Sequence, residues 1–334
     1  MARKNFTLYW SSLAVYEECP QRFLWSRGWG AIDCGGGPGR RKPIAEKRSA
    51  HHAVMGIAIQ EAIELFYNDE LWKTLAPPIL RAKLLDLARK AFVRELTRAY
   101  VDWRTAPPRD ELWCLVQDAV LGYMRTLKAQ MLLGPYAKAE VDLVAYIDKW
   151  NPVGGRVDTI LRRESEPHVG VSIIDGKNSK RYKDGKGGLM TFTDPDQLRW
   201  YAMLYYLCYR KMPDRVGFTY YRYPYGDPVL DVEGRDTGEI EPGVEWVDFT
   251  MDDLKGLAQR AVDARKGMNK ERFEATPTPK TCKFCDWEKE CEERKAQKAA
   301  NRRVRKPKSD SLAEIHTEAG MLTFGGGSSG KKGG

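Results

Sequence analysis

Apolar residues in the first half of the chain recur at spacings of three and four, a period that is typical of helices with one buried face. The stretch from Ser11 to Trp25 is the first of these, and Pro20 is expected to end or bend its helix. Three more stretches follow, with the sequences VMGIAIQEAIELF, ILRAKLLDLARKAFVREL and ELWCLVQDAVLGYM. We therefore predict a helical subdomain over residues 51–135.

The hydrophobic period shortens after Lys138. The segments AEVDLVAYI, GRVDTIL and VSIID are short, rich in β-branched residues and bounded by Gly, Asn and Pro, which indicates strands. A helix (DPDQLRWYAMLYYLCYR) and a strand (VGFTYYRY) follow, and then a helix that begins at Thr250, with Asp253 placed for a capping box. The pattern predicts a mixed α/β core over residues 136–275.

Size and hydrophobicity limit the class of protein further. A chain of 334 residues with 42% hydrophobic content can bury a substantial core, so we expect one elaborated globular domain, or a domain with a helical insertion. No apolar run reaches the roughly 20 residues that span a bilayer, and the amino terminus lacks the apolar stretch of a signal peptide. We therefore expect a cytosolic protein of a bacterial, archaeal or phage-infected cell, with no membrane partner.

The net charge of +9 favours a polyanionic partner, because Lys and Arg displace counterions from phosphate backbones. Part of this charge lies in residues 293–308, which are either a nucleic-acid contact or a solvated helix end. The remaining predicted boundaries are an N-terminal helix (1–30), a basic Gly-rich loop (31–50), a C-terminal cysteine segment (276–293) and a basic, largely disordered tail (294–334).

Three predicted strands carry acids. Asp175 and Lys177 follow an apolar run and share a face, because side chains alternate along a strand, and the two preceding strands carry Glu140 and Asp158. Phosphodiester hydrolysis needs hard oxygen ligands for Mg²⁺ or Mn²⁺, which Asp158, Asp175 and the carbonyl of Gly176 would supply. Lys177 would orient or deprotonate the attacking water and offset developing charge. Asp-x-Lys by itself is usually a surface pair, so the prediction rests on its setting.

Two further candidates lie on the helix that follows these strands. The spacing of four places Gln197 and Tyr201 on one face, where an amide and a phenol could contact substrate phosphate or the lysine. Each residue alone is more often a packing or surface residue. Their position directly after the strand of Asp175 is what favours a role in the site.

Seven cysteines make an odd count, and three of them are clustered near the C-terminus. Cys282, Cys285 and Cys291 follow a C-x2-C-x5-C spacing that brings three thiolates within reach of one metal centre. A fourth ligand must come from elsewhere. Both an iron-sulfur cluster and structural zinc are compatible with such a set of ligands.

Taken together, the motifs resemble the RecB-like and CRISPR-associated iron-sulfur exonucleases of the PD-(D/E)XK superfamily. The resemblance spans roughly Ser11 to Cys291. Its elements, in order, are Cys19-Pro20, Gly56 with a polar residue four positions later, Glu140, Asp158, Asp175-x-Lys177, Gln197-x-x-x-Tyr201 and the three terminal cysteines.

This resemblance implies a restriction-endonuclease-like mixed sheet flanked by helices. It also implies a 4Fe-4S cluster, with Cys19 as the fourth ligand, that joins the N- and C-terminal segments, and zinc is the alternative. The family usually has a metal-binding His where this chain has Gln60. We expect Gln60 to be a weak or water-mediated metal ligand, and Glu64 to share its helix face.

The expected function is that of a DNA exonuclease or end-processing nuclease acting on single strands or free ends, with a helicase or recombination protein as a possible partner. Glu140, Asp158, Asp175, Lys177, Gln197 and Tyr201 would form its catalytic site. The alternative is a DNA-binding or assembly subunit that does not cleave. The change to Gln60 is the sequence feature that favours this alternative.

Overall fold

The computed structural model describes residues 6–27, 51–98, 101, 103, 106–129, 136–163, 168–177, 182–183, 189–190, 194–220, 228–230, 236–240, 244–282, 285, 287–289 and 291–305. The helices are α1 (Trp10–Glu18), α2 (Pro20–Arg27), α3 (His51–Asn68), α4 (Leu71–Thr74), α5 (Pro77–Arg98), α6 (Arg109–Ala129), α7 (Pro195–Tyr209), α8 (Met251–Asn269), α9 (Pro279–Cys282) and α10 (Glu292–Arg305). The strands are β1 (Leu8–Tyr9), β2 (Tyr136–Tyr146), β3 (Pro152–Arg162), β4 (Val171–Lys177), β5 (Tyr182–Lys183), β6 (Leu189–Met190), β7 (Arg215–Tyr220), β8 (Pro228–Leu230), β9 (Asp236–Ile240) and β10 (Val244–Val247).

The segments with helical or strand periodicity form the elements that the sequence predicts. The first predicted helix is divided, because α1 ends at Glu18 and α2 begins at Pro20, with Cys19 in extended conformation between them. Proline suits the first position of a helix, where its missing N–H costs no hydrogen bond. The capping box at Thr250 and Asp253 is also present at the start of α8. The predicted basic Gly-rich loop lies outside the described residues, as does the chain after residue 305.

The described strands form one six-stranded mixed sheet and two small two-stranded sheets. The main sheet has the order β1-β3-β4-β7-β10, and β2 also pairs with β3. β2 and β3 are antiparallel, as are β3 and β4, whereas β4 and β7 are parallel. A mixed sheet flanked by helices agrees with the predicted fold class.

Two hydrophobic clusters hold the helices against the sheet. The first contains buried residues of α1, α7 and α8, among them Trp200. The second contains buried residues of α3, α5 and α6, among them Phe66 and Tyr123. The adjacent strand residues Ile173 and Ile174 belong to the first and second cluster respectively, as alternation along β4 requires. The sheet therefore lies between two layers of helices.

A glycine pair on β3 lets α7 approach the sheet closely. The indole nitrogen of Trp200 donates to the carbonyl oxygen of Gly154 at 3.1 Å. A Cβ atom at Gly155 would lie 2.8 Å from Cδ1 of Leu204 and 3.1 Å from Cε1 of Tyr201. The missing side chain thus sets how deeply α7 is seated on β3.

The chain divides into two compact units, residues 1–274 and 275–334. In the second unit, the backbone nitrogen of Thr281 donates to Oγ1 of Thr278 at 3.0 Å at the start of α9. Arg294 of α10 forms a 3.1 Å ion pair with Glu288. None of the helices in the described residues is both long enough and apolar enough to cross a bilayer.

Candidate active site

Asp175 and Lys177 lie at the end of β4, directly after its buried apolar run. Asp175 is only 1% exposed. In the parallel pairing with β7, these two residues are opposite Phe218 and Tyr220. Nζ of Lys177 lies 2.5 Å from Oδ2 of Asp175, so the two side chains share a face, as the spacing of two predicts.

A chain of polar contacts joins this pair to α7. Nζ of Lys177 donates to Oε1 of Gln197 at 2.9 Å. Nε2 of Gln197 donates to Oδ1 of Asp175 and to the hydroxyl oxygen of Tyr201, each at 3.1 Å. The Gln197 amide therefore contacts the lysine through its oxygen and the carboxylate through its nitrogen. The structure brings together these four residues, which the sequence analysis selected.

The start of α7 determines where Gln197 is placed. Asp194 caps the helix by accepting a hydrogen bond from the backbone nitrogen of Asp196 at 3.0 Å, and Pro195 is the first helical residue. Gln197 consequently lies in the first turn, beside the end of β4. Tyr201 follows one turn later on the same helix face.

Asp158 reaches the same end of the sheet from β3. The backbone nitrogen of Gly176 donates to its Oδ2 at 2.9 Å. This bond lies beyond the end of the backbone pairing between β3 and β4, where Thr159 is opposite Ile174. Asp158 therefore contacts the residue that follows Asp175, at the same end of the sheet.

Glu140 lies on β2 with a left-handed backbone, at a φ of 53°. Its neighbours Ala139 and Val141 pair with Thr159 and Val157, so Glu140 is opposite Asp158. Ala139 packs in the second cluster, whereas Val141 packs against the first. Residues two apart would share a face in a regular strand, so β2 changes faces at Glu140.

Gln60 and Arg156 both contact the Glu140 carboxylate. Nε2 of Gln60, on α3, donates to Oε1 of Glu140 at 2.7 Å. Nε of Arg156, on β3, lies 2.8 Å from Oε2 of Glu140. Gln60 therefore lies in the site, where its amide nitrogen is directed to an acid.

These residues surround a cavity of about 500 Å³ between α3 and the sheet. It is lined by Gly56, Ile57, Gln60, Glu61, Glu64, Glu140, Arg156, Asp158 and Gly176. Asp175 is buried beside Gly176. The charged residues of this lining are four acids and one arginine, which suits a cation better than an anion.

Comparison with known proteins decides the family. A family model described as the PD-(D/E)XK nuclease superfamily matches residues 9–292. The chain belongs to the PD-(D/E)XK nuclease superfamily. Proteins of this superfamily generally hydrolyse phosphodiester bonds and typically use Mg²⁺ or Mn²⁺. A search of the curated proteins finds no match.

The electrostatics of this PD-(D/E)XK site favour bound cations. Burial, and then the nearby Asp175, raise the pKa of Asp158 to about 8. Burial also raises the pKa of Asp175, although the Lys177 ammonium opposes this change. The pKa of Glu64 is raised by burial and by Glu140. A divalent cation would relieve the cost of ionising all three acids.

The residues of the site fit a hard divalent cation in their chemistry. Across the described ranges, no three His, Cys, Asp or Glu side chains are gathered closely enough to hold a metal ion as they stand. Asp158, Asp175 and Glu140 nevertheless offer carboxylate oxygens, which Mg²⁺ and Mn²⁺ prefer. Oδ2 of Asp175 is buried and lies 2.5 Å from the Lys177 ammonium, which is its charged partner.

The cysteines of the second unit lie in a segment with short-range backbone hydrogen bonds. Cys282 and Cys291 are each 7% exposed. The backbone nitrogen of Cys285 donates to the carbonyl oxygen of Cys282 at 3.2 Å, which keeps these two residues close. Sγ of Cys291 donates to Oε2 of Glu293 at 3.4 Å. Within the described residues, these thiols do not form a group of three that could hold a metal ion as they stand.

Arg156 is a member of the site that was not predicted from the sequence. It lies two residues before Asp158 on the same strand, so the strand pattern contained a signal for it. Glu61 was also missed, and it binds Arg94 at the edge of the cavity, with Nη1 of Arg94 2.9 Å from Oε1.

Proposed function

We propose that this protein is a metal-dependent DNA exonuclease or end-processing nuclease that acts on single strands or free ends. The observation that carries the proposal is the contact chain from Asp175 through Lys177 and Gln197 to Tyr201, with Asp158 beside it. A protein that only bound DNA would have no need for a buried acid paired with a lysine. Membership of the superfamily supports the chemistry, and the net positive charge supports a nucleic-acid substrate.

Asp158, Asp175 and the carbonyl oxygen of Gly176 would hold the cation, with Glu140 beside them. When bound, Mg²⁺ or Mn²⁺ polarises the phosphoryl group and lowers the pKa of a water molecule. Gln60 directs its amide nitrogen to Glu140, so any metal contact by Gln60 falls to its carbonyl oxygen, directly or through water.

Lys177 is the group that we assign to the attacking water and to the charge on the phosphorane. Its ammonium contacts oxygen acceptors on Asp175 and Gln197, so it is held as a hydrogen-bond donor. A positioned cation of this kind stabilises negative charge as it develops in the transition state. Gln197 fixes the lysine relative to the acid, and Tyr201 fixes Gln197.

We also propose a structural 4Fe-4S cluster bound by Cys19, Cys282, Cys285 and Cys291. Its support is the C-x2-C-x5-C spacing and the resemblance of the motif order to iron-sulfur nucleases. Structural zinc is the alternative metal for the same four thiolate ligands. Anaerobic purification followed by absorption spectroscopy and metal analysis tests the assignment. Iron, sulfide and visible absorption would support the cluster, and a colourless protein with stoichiometric zinc would replace it.

A second candidate function is that of a non-cleaving DNA-binding or assembly subunit in a recombination, repair or CRISPR-adaptation complex. The observation that favours it is Gln60, which stands where the resembled family has a metal-binding histidine and which donates to Glu140. In such a complex, cleavage or unwinding would be supplied by a partner such as a helicase or another recombination protein.

The two functions are separated by incubating anaerobically purified protein with end-labelled single-stranded and duplex DNA, with and without Mg²⁺ or Mn²⁺. Lys177→Ala removes the proposed catalytic cation, and Lys255→Ala removes a lysine that is 71% exposed on α8. We expect metal-dependent cleavage by the wild-type protein and the Lys255 variant, reduced by at least about 100-fold in Lys177→Ala. DNA binding without cleavage by the wild-type protein would support the assembly subunit instead.

A further inference from the structure

Arg156 is the basic residue among the charged residues that line the cavity. Among the described residues that line the cavity, four are acids, namely Glu61, Glu64, Glu140 and Asp158. A nucleic-acid backbone that enters such a cavity meets like charge, and bound metal ions offset only part of it. A positive side chain at the same wall would draw a phosphate to the acids rather than away from them.

The guanidinium of Arg156 is fixed at one end. Its Nε lies 2.8 Å from Oε2 of Glu140 and 3.8 Å from Oδ1 of Asp142. Asp142 is its register partner on β2. Two acids of β2 therefore contact the side of the guanidinium that carries Nε, which restricts how the group can turn.

The other end of the guanidinium is open. The side chain is 60% exposed, and its shortest contacts with Glu140 and Asp142 are made by Nε rather than by the two terminal Nη groups. Arginine binds phosphate through two parallel N–H donors, and a guanidinium already oriented by acids loses less freedom on binding. Phosphate is the ligand that matches such a fork beside a nuclease site.

We propose that Arg156 binds a backbone phosphate of the DNA strand next to the phosphodiester that is cleaved, with Glu140 as its positioning partner. This inference rests on the proposed nuclease function and deepens it by assigning the contact that guides the strand. A rival role, in which Arg156 only neutralises Glu140, makes a different prediction, because it involves no ion release from DNA.

Binding without cleavage separates the two roles. In protein that carries Lys177→Ala, the affinity for fluorescently labelled single-stranded DNA is measured in Mg²⁺ at several salt concentrations, with Arg156→Gln, Arg156→Lys or Lys255→Gln added. We expect Arg156→Gln to weaken binding about tenfold and to reduce the slope of log affinity against log salt by about 0.7, the change for one phosphate contact. Arg156→Lys should keep the slope while losing affinity, and Lys255→Gln should change neither.

An unchanged salt slope in Arg156→Gln would overturn the inference. A lower affinity for Mg²⁺ in that variant, with the slope retained, would identify Arg156 as a partner of Glu140 alone. The proposed function fails separately, when protein with both Lys177 and Arg156 intact does not cleave DNA. Thermal melting of each variant confirms that it is folded before its slope is compared.

Discussion

Replacing Asp158 with asparagine should stabilise the metal-free protein while abolishing cleavage. Burial and the neighbouring Asp175 raise the pKa of Asp158 from 3.8 to about 8. The folded state therefore binds a proton at the Asp158 carboxyl group more tightly than the unfolded chain does. Stability is lost as pH rises from about 4 to about 8 and is constant above that range. Asparagine carries no charge, can still accept the hydrogen bond from Gly176 and removes this loss.

The magnitude follows from the size of the pKa change. A change of about four pKa units at about 1.4 kcal/mol each gives an upper bound of about 6 kcal/mol. We expect about half of this, because Asp158 opens onto the cavity and solvent screens part of the cost. The stability advantage of Asp158→Asn should grow by up to about 1.4 kcal/mol per pH unit between pH 4 and 8.

Urea denaturation in EDTA at pH 5, 7 and 8.5 measures how the difference in unfolding free energy between Asp158→Asn and the wild-type protein changes with pH. Asp252→Asn is the control, since Asp252 is 89% exposed on α8, and we expect it to change stability by less than about 1 kcal/mol. Adding Mg²⁺ at 100 times its dissociation constant should stabilise the wild-type protein by about 3 kcal/mol and narrow the difference at high pH. An advantage of Asp158→Asn that did not vary with pH would refute the argument.

Three further comparisons of variants test the geometry of the site. Glu140→Gly should be about 1 kcal/mol more stable than Glu140→Ala in chemical denaturation, because a φ of 53° favours glycine, and both should lose activity. Gly155→Ala should cost about 1 to 3 kcal/mol and lower kcat by displacing α7, whereas Gly256→Ala, whose Cβ meets no atom within 4 Å, should stabilise α8 by about 0.5 to 1 kcal/mol. Gln60→His should raise the ratio of the cleavage rates in Mn²⁺ and Mg²⁺, since imidazole nitrogen favours Mn²⁺ more than an amide oxygen does.

The sequence predicts which of these site residues share a face, because those relations depend on local rules. Asp175 and Lys177 share a face by the period of a strand, and Gln197 and Tyr201 share one by the period of a helix. The cap at Asp194 then fixes the start of the helix. Each of these relations lies within one element or between neighbours in the chain, so a single sequence contains the information.

The change of faces at Glu140 could not be predicted in this way. Apolar residues recur at every second position in AKAEVDLVAY, so the pattern indicates one regular strand with a single buried face. The left-handed φ of one residue sends Ala139 and Val141 to different clusters without altering that pattern. Arg156 was missed for a related reason, because its role depends on the position of Glu140 on another strand.

The strained backbone of Glu140 lies at a position where its side chain has a role in the site. Glycine adopts a φ of 53° at little cost, whereas a residue with a side chain costs about 1 kcal/mol or more. Asp175 and Gln197 lie on the side of the first cluster, and Gln60 approaches from α3, which packs in the second. The carboxylate of Glu140 contacts Gln60 and Arg156 at the residue where β2 changes faces. The strained conformation is therefore tied to the carboxylate that it positions, which is why Glu140→Gly should be more stable than Glu140→Ala although both variants lose function.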